Sequence, residues 1–270
     1  ISFHQSLLKL SFIFFIAIYY LIGIYLIQQT SITSDESAYI GAAYAYTEGL
    51  GLNQEHPLFF KVVNSGIINL FFPDYDLTVP SIEIVSGEES IEARLAAFNL
   101  GYTFLMERAE NFQTLLFSLR LPYLIFNSFI FIWFYLYTFV FKKINPQISL
   151  VFIILYIFSP SFYSHNFLIA FDVSVSVYGL LSILSLIIIA KKVERKDYRN
   201  LLIDFIIFAY ILFIALNSKF SNLILIPIVI ASYIIIGIYL LKTNQKNRLG
   251  QFSILTSLSL LIQPLLISLM

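Results

Sequence analysis

The sequence lacks cysteine and is poor in charge. With no cysteine among 270 residues, it has neither a disulfide framework nor a thiolate metal site. Charged residues make up 12% of the chain and hydrophobic residues 59%, and the mean hydropathy is +0.85. A soluble domain averages about 25% charged residues, so this chain has too little polar surface to cover a core in water. The composition therefore predicts a polytopic membrane protein.

An excess of positive charge is also missing. The 16 basic and 16 acidic residues give a formal net charge of zero. The chain therefore lacks the excess of positive charge that is typical of nucleic-acid-binding proteins. The chain also lacks a convincing internal repeat and a low-complexity linker, and we expect a single transmembrane domain over residues 1–270. Because it begins at Ile1 and stops at Met270 inside an apolar run, we expect the front part of a longer protein.

Long apolar segments fill most of the sequence. A bilayer-spanning helix needs about 20 mostly apolar residues. Six segments satisfy this length, and a seventh is short and ends at Ser159-Pro160. The predicted fold is an all-α polytopic membrane protein with about seven transmembrane helices, near residues 7–27, 121–141, 147–160, 167–190, 201–217, 220–241 and 249–270. No small-residue cleavage site follows the first segment, which we interpret as a retained anchor.

The charges are distributed unevenly between the loops. Eleven of the 16 basic residues fall on one side of the predicted spans, the side that holds the N-terminus. The positive-inside rule makes that side cytoplasmic. The opposite side receives the long stretch 28–119, which holds 12 of the 16 acidic residues and is expected to fold or function. Within it, 91–118 has helical apolar spacing and is expected at the membrane surface, whereas 73–90 is expected to be a loop.

The first polar motif is Thr33-Ser34-Asp35-Glu36. Thr33 and Glu36 fit a capping box at the start of a helix, which explains Glu36 better than Asp35. A carboxylate just outside a membrane span can instead act as general base for a hydroxyl nucleophile. Helix capping and catalysis are both open on spacing alone.

The second motif is Glu55-His56-Pro57. It is typical of a loop that enters a short helix, with Pro57 in the first turn. Glu55 and His56 can alternatively bind a divalent metal or a phosphate-bearing ligand. Two adjacent ligands fall short of the three or four that a metal site usually needs, so the pair is a weak metal signal.

Two isolated basic residues lie on the predicted extracytoplasmic side. Arg120 opens the second span as Arg-Leu-Pro, and Lys219 is the basic residue of the loop between the fifth and sixth spans. Both can be snorkelling anchors at the membrane interface. Positive charge is less common at this end, and an arginine can hold a lipid phosphate bidentately.

His165 and Asp172 lie near the start of the fourth span. If the segment is helical, their seven-residue separation places both on one face. Asp172 is either a solvated helix start or a functional charge at the mouth of a span. Asp204, near the cytoplasmic start of the fifth span, is expected to be an interface residue.

These motifs share one predicted side of the membrane. Acids and bases at the extracytoplasmic ends of several spans suggest a site for a phosphorylated lipid and a hydroxyl acceptor. Its members are Asp35, Glu36, Glu55, His56, Arg120, His165, Asp172 and Lys219.

Four blocks in order along the chain carry a family resemblance. The chain resembles the polytopic GT-C glycosyltransferases of the protein O-mannosyltransferase and aminoarabinose-transferase-like group. The blocks are DESAYIGAAYAYTEGLGLNQEHPLFFK, GYTFLMERAENFQTLLFSLRLP, SPSFYSHNFLIAFDVSVSVYG and ALNSKFSNLILIP. The chain departs from the family at Leu58, where the family has a second proline, and it has fewer spans.

The resemblance implies a glycosyltransferase that moves mannose or a similar sugar from a polyprenyl-phosphate carrier to a hydroxyl acceptor outside the cytoplasm, with inversion. Asp35 would take the acceptor proton, and Glu36 would assist. Arg120 and Lys219 would neutralise the leaving phosphate, while His165 and Asp172 would line the donor side. Glu55 and His56 would enter the same cavity, where a divalent metal is left open.

Two other classes compete with this interpretation. A transporter or flippase would also carry charges at membrane edges, although transporters usually place them near the midplane between repeated halves. A lipid-linked-sugar-binding protein without catalysis is the second rival. Asp35 discriminates among the three, because neither rival needs a base there.

Overall fold

The structure is a computed structural model that describes residues 3–47, 59–72, 91–107, 112–170 and 172–268. These residues form helices joined by short turns. The helices are α1 (Phe3–Gln29), α2 (Ser34–Thr47), α3 (Phe59–Phe71), α4 (Ile91–Glu107), α5 (Phe112–Asn127), α6 (Phe129–Tyr135), α7 (Pro146–Phe158), α8 (Pro160–His165), α9 (Asp172–Glu194), α10 (Leu201–Ser218), α11 (Leu225–Lys242) and α12 (Lys246–Ser268). The prediction of an all-α protein is confirmed for this part of the chain.

Among the described residues, five stretches of helix are long and apolar enough to cross a membrane. They are Gln5–Gln29, Phe112–Val140, Asp172–Glu194, Leu201–Ser218 and Ser221–Lys242. Each overlaps a predicted span, which is the pattern of an integral membrane protein. The other two predicted spans fall in α7, which has 13 residues, and in α12. The count of seven spans and their orientation stay predictions.

Prolines and capping residues explain several helix boundaries. Asn145 caps α7, since its side chain accepts the Gln147 N–H at 2.8 Å, and Pro146 occupies the first turn. Ser159 has an extended backbone because the following Pro160 disfavours the helical region, so α7 ends at Phe158. The predicted stop at Ser159-Pro160 is confirmed.

The second span begins earlier than the sequence suggested. We predicted helix over 91–118 and a span over 121–141. Helices α4 and α5 cover the described part of 91–118, so the helix prediction is confirmed there. Helix α5 starts at Phe112 and continues through Arg120 and Pro122, so the helix that contains the second span begins before the predicted bound.

The described residues divide into two compact units. The first contains those up to Ser174 except Phe59, and the second contains Phe59 and those from Val175 onward. In the first, α1 packs against α5 and α7, and α2 packs along α4. In the second, α12 packs against α10 and α11. The expectation of a single domain stays a prediction.

Helices α2 and α4 touch backbone to backbone. A Cβ placed on Gly41 would lie 1.9 Å from the Ala97 carbonyl oxygen, and one on Gly101 would lie 1.8 Å from the Ser37 carbonyl oxygen. Only glycine fits at these two positions. These glycines thus hold α2, which carries Asp35 and Glu36 in its first turn, against α4.

Candidate functional site

The candidate site is organised around the first turn of α2. The Thr33 N–H donates to Glu36 Oε2 at 2.9 Å, and the Thr33 hydroxyl lies 3.2 Å from the same oxygen. This is the glutamate half of the predicted capping box. Glu36 is fully buried, whereas its neighbour Asp35 is exposed. The two adjacent acids therefore occupy opposite environments.

Glu36 forms a bidentate ion pair with Arg120. The Arg120 Nε–H donates to Glu36 Oε1 at 2.8 Å, and an Nη2–H donates to Oε2 at 2.7 Å. Both side chains are 0% exposed. The planar guanidinium fork matches the carboxylate, which makes this one of the stronger types of ion pair.

The remaining donors of Arg120 point at the end of α1. Nη1 lies 2.9 Å from both the carbonyl and the hydroxyl oxygen of Thr30, and Nη2 donates to the Ser31 carbonyl at 2.8 Å. All five N–H groups of the guanidinium thus have oxygens within the protein. The sequence placed Arg120 at a membrane interface and assigned it to phosphate. The side chain is buried and is therefore not an exposed snorkelling anchor. Its phosphate role stays a prediction that these contacts do not favour.

Glu36 also holds the segment that precedes α9. Its Oε1 accepts the Ile169 N–H at 3.0 Å. A single buried ion pair therefore joins the end of α1, the start of α2, the middle of α5 and the turn that leads to Asp172. Since every polar atom of the pair is hydrogen-bonded, the cost of burying the two charges is offset.

A polar cluster anchors the same turn from its other side. Asn127 Nδ2 donates to the Asn166 carbonyl at 2.8 Å, and the Ser174 hydroxyl donates to Asn127 Oδ1 at 2.8 Å. The Tyr156 hydroxyl donates to Asn166 Oδ1 at 2.7 Å. Sequence analysis missed this cluster, although a buried asparagine inside an apolar helix is a usable signal.

Asp35 and Asp172 share a neighbour, the phenol of Tyr39. Tyr39 follows Asp35 by one helical turn and is half-buried, and Asp172 is the exposed first residue of α9. The pKa of Tyr39 is raised to about 12, mainly by burial and further by the Asp35 and Asp172 carboxylates. Sequence analysis did not single out Tyr39, but its four-residue spacing from Asp35 could have found it.

His165 lies at the end of α8 and is exposed. Its Nδ1 is 2.9 Å from the Ser164 hydroxyl and 3.0 Å from the Ser161 carbonyl oxygen. His165 and Asp172 would share a helix face only if the segment between them were helical, and a non-helical turn over 166–170 separates α8 from α9.

Helix α3 rests on α5 beside the predicted site. Asn64 Nδ2 donates to the Tyr123 hydroxyl at 2.8 Å, and the rings of Phe60 and Tyr123 stack with centroids 4.8 Å apart. Lys61 on the same helix is buried. Sequence analysis assigned no role to Asn64 or Tyr123, because neither belongs to a recognisable motif.

A cavity of about 450 Å³ opens where α1 ends and α5 begins. It is lined by Gln28, Gln113, Thr114 and Phe117. Two amides and a hydroxyl beside an aromatic ring can hydrogen-bond and pack against a neutral, hydroxyl-rich ligand. Phe117 lies one turn before Arg120 on α5, so the cavity lies near the buried ion pair.

The remaining predicted residues lie elsewhere. Lys219 follows α10 with an extended backbone, is half-buried and belongs to the second unit. Asp204, which we expected at the membrane interface, is buried and forms an ion pair with Lys192, and its depth in the membrane stays a prediction. Glu55 and His56 lie outside the described residues. Within the described ranges, no group of three His, Asp or Glu side chains is placed to hold a metal ion.

Comparison with known proteins adds no relative. No protein-family model, no curated protein and no solved structure matches the chain.

Proposed function

We propose that this chain is a membrane glycosyltransferase that moves a sugar from a polyprenyl phosphate to a hydroxyl acceptor on the extracytoplasmic side. The observation that carries the proposal is the contrast between Asp35 and Glu36. Glu36 is locked by Arg120, while Asp35 is exposed on the same first turn of α2. A structural helix start would explain Glu36 alone, and the resemblance assigns the catalytic role to Asp35.

Asp35 acts as the general base. The acceptor oxygen attacks the anomeric carbon, the bond from that carbon to the phosphate oxygen breaks, and the acceptor proton passes to the Asp35 carboxylate. The electron pair of the broken bond leaves with the polyprenyl phosphate. Attack from the face opposite the phosphate inverts the anomeric centre.

Glu36 and Arg120 act as positioning residues in this proposal. They fix the first turn of α2, which carries Asp35. They also fix the turn over 166–170, which leads to Asp172 at the start of α9. This differs from the role that the resemblance implies for Arg120, because its donors already have protein partners. Neutralisation of the leaving phosphate is then assigned to His165, and Asp172 lines the donor side with Tyr39.

The cavity at Gln28, Gln113, Thr114 and Phe117 supports a sugar or acceptor site of neutral chemistry. None of these four residues is charged, so a charged substrate group would find no counter-charge among them. Glu55 and His56 keep the acceptor-side role that the resemblance implies. If a divalent metal is used, this pair would hold it and would need a further ligand.

The proposal is tested by incubating membranes that contain the full chain with radiolabelled sugars on polyprenyl phosphate, beginning with mannose. Transfer to a hydroxyl acceptor is expected for wild type and for Asp197→Asn, which removes a carboxylate in the turn between α9 and α10. Asp35→Asn should lower the transfer rate by about 10²–10⁴-fold and leave the protein folded. Movement of the lipid-linked sugar across the membrane without transfer, and equally in Asp35→Asn, would instead establish a flippase.

A further inference from the structure

Two turns meet at one end of the second unit. One turn joins α9 to α10, and the other joins α11 to α12. The Tyr198 hydroxyl donates to Gln245 Oε1, and the Arg248 guanidinium lies 4.4 Å from the centre of the Tyr198 ring. The Tyr239 hydroxyl donates to the Glu194 carbonyl at 3.3 Å. These contacts join the two turns into a single surface.

This surface is strongly basic. From 191 to 204 and from 242 to 248 the sequence has eight basic and three acidic residues. One pair is internal, because Lys192 is buried against Asp204 and also donates to the Arg199 carbonyl at 2.9 Å. Six other basic side chains are exposed and define the basic face: Lys191, Arg195, Lys196, Arg199, Lys242 and Arg248.

Two acidic residues partly compensate the positive charge of the basic face. Glu194 is exposed, and Asp197 is half-buried and accepts the Arg199 backbone N–H at 3.3 Å. Six exposed cations against these two carboxylates leave a net positive surface. Such a surface attracts an anionic partner.

The basic face borders exposed apolar side chains. Ile187 and Leu202 lie one to two turns from the basic ends of α9 and α10, and Leu241 precedes Lys242 on α11, and all three are exposed. Helices α9, α10 and α11 are among the stretches long and apolar enough to cross a membrane. Cations directly above apolar helix surfaces match a layer of phosphate groups above acyl chains. A small soluble anion would match the cations but not the apolar border.

We propose that the basic face binds the headgroups of anionic phospholipids in the leaflet at this end of the helices. Each exposed Lys or Arg near a membrane surface strengthens attraction to anionic lipid. The joined turns hold the six side chains together, so their contributions act on the same few lipids. This inference is independent of the proposed transferase activity.

The test compares two triple variants of the full chain with equal loss of charge. Lys191→Gln/Lys196→Gln/Lys242→Gln changes the basic face, and Lys9→Gln/Lys142→Gln/Lys143→Gln changes the first unit on the same predicted side. The purified proteins are titrated with phosphatidylglycerol or phosphatidylcholine in mixed micelles, and bound lipid is counted by native mass spectrometry. A Lys→Arg version of the first variant, which keeps the charge, controls for folding.

Wild type and the Lys→Arg version are expected to retain phosphatidylglycerol, and the basic-face glutamine variant should bind it about tenfold or more weakly. The matched glutamine variant should change binding much less. Equal binding of phosphatidylcholine by wild type, or equal losses in both glutamine variants, would overturn the proposal. So would displacement of phosphatidylglycerol by millimolar inorganic phosphate, because the face would then recognise a free anion.

Discussion

Arg120 and Glu36 form a fully buried, bidentate ion pair between α5 and the first turn of α2. The two residues are 84 positions apart in sequence. Arg120 also donates to the Thr30 carbonyl at the end of α1, and Glu36 also accepts the Ile169 N–H. The pair fixes the position from which the neighbouring Asp35 is exposed.

Breaking the pair from one side should destabilise the first unit strongly. In Glu36→Gln the guanidinium stays buried without its counter-charge, and we expect a loss of about 3–5 kcal/mol. Arg120→Lys should lose most of this stability as well, because an ammonium cannot reproduce the fork. Thermal unfolding in detergent measures both, and Asp35→Asn serves as the exposed neighbouring control. An Arg120→Lys protein as stable as wild type would contradict the geometry.

Gly41 and Gly101 should not tolerate a side chain. A Cβ at either position would overlap a backbone carbonyl of the opposite helix, so Gly41→Ala should force α2 and α4 apart and cost about 1–3 kcal/mol or more. Gly66→Ala in α3 is the matched control, since a Cβ there meets nothing within 4 Å. That change should be neutral or stabilising, because alanine favours helix. Equal melting temperatures for the two variants would contradict the close packing.

The Lys192–Asp204 pair should stabilise the second unit. Lys192→Met leaves Asp204 buried and unpaired with Lys192, and we expect a loss of about 3–5 kcal/mol. Lys191→Met, at the exposed neighbouring position, should change stability little. The double variant Lys192→Met/Asp204→Leu should recover much of the loss, because apolar residues then replace both charges. A double variant that unfolds as readily as Lys192→Met would argue against the pair as the cause.

Tyr39 should remain neutral until strongly alkaline pH. Its pKa in the folded chain is about 12, above the value of about 10 expected when unfolded. Because the folded state holds the proton more tightly, its contribution to stability is complete below about pH 10 and is lost as pH rises towards 12. The ultraviolet difference titration of wild type minus Tyr39→Phe should show this phenol, with a lower midpoint in Asp35→Asn and in Asp172→Asn. A midpoint unchanged in both variants would place the carboxylates farther away.

Much of the fold follows from the length of the apolar segments and from the prolines and capping residues at helix ends. The five long spans lie where hydropathy predicted them, and the Ser159-Pro160 stop and the Thr33–Glu36 cap have local causes. Apolar length did not predict where the second span's helix begins, because α5 already starts at Phe112 and contains Pro122. A proline can start a helix or sit inside one, and tertiary packing decides between the two.

The site was harder to predict than the fold. Sequence analysis identified Glu36 and Arg120 as members of one site, but treated Arg120 as exposed and available for phosphate. Its five donors find partners at Thr30, Ser31 and Glu36 only in three dimensions. The same limit applies to Asp204, whose partner Lys192 lies on the preceding helix and had been counted among loop cations. Residue type indicates that a charge is costly to bury, but not which partner offsets the cost.

The central claim is that Asp35 is the base of a sugar transfer, and the most direct measurement is the transfer rate of Asp35→Asn per folded molecule. With a donor that supports transfer by wild type, the account predicts a loss of about 10²–10⁴-fold in Asp35→Asn. It also predicts an unchanged melting temperature and full activity in Asp197→Asn. Asp35→Asn that transfers sugar at the wild-type rate would contradict the account.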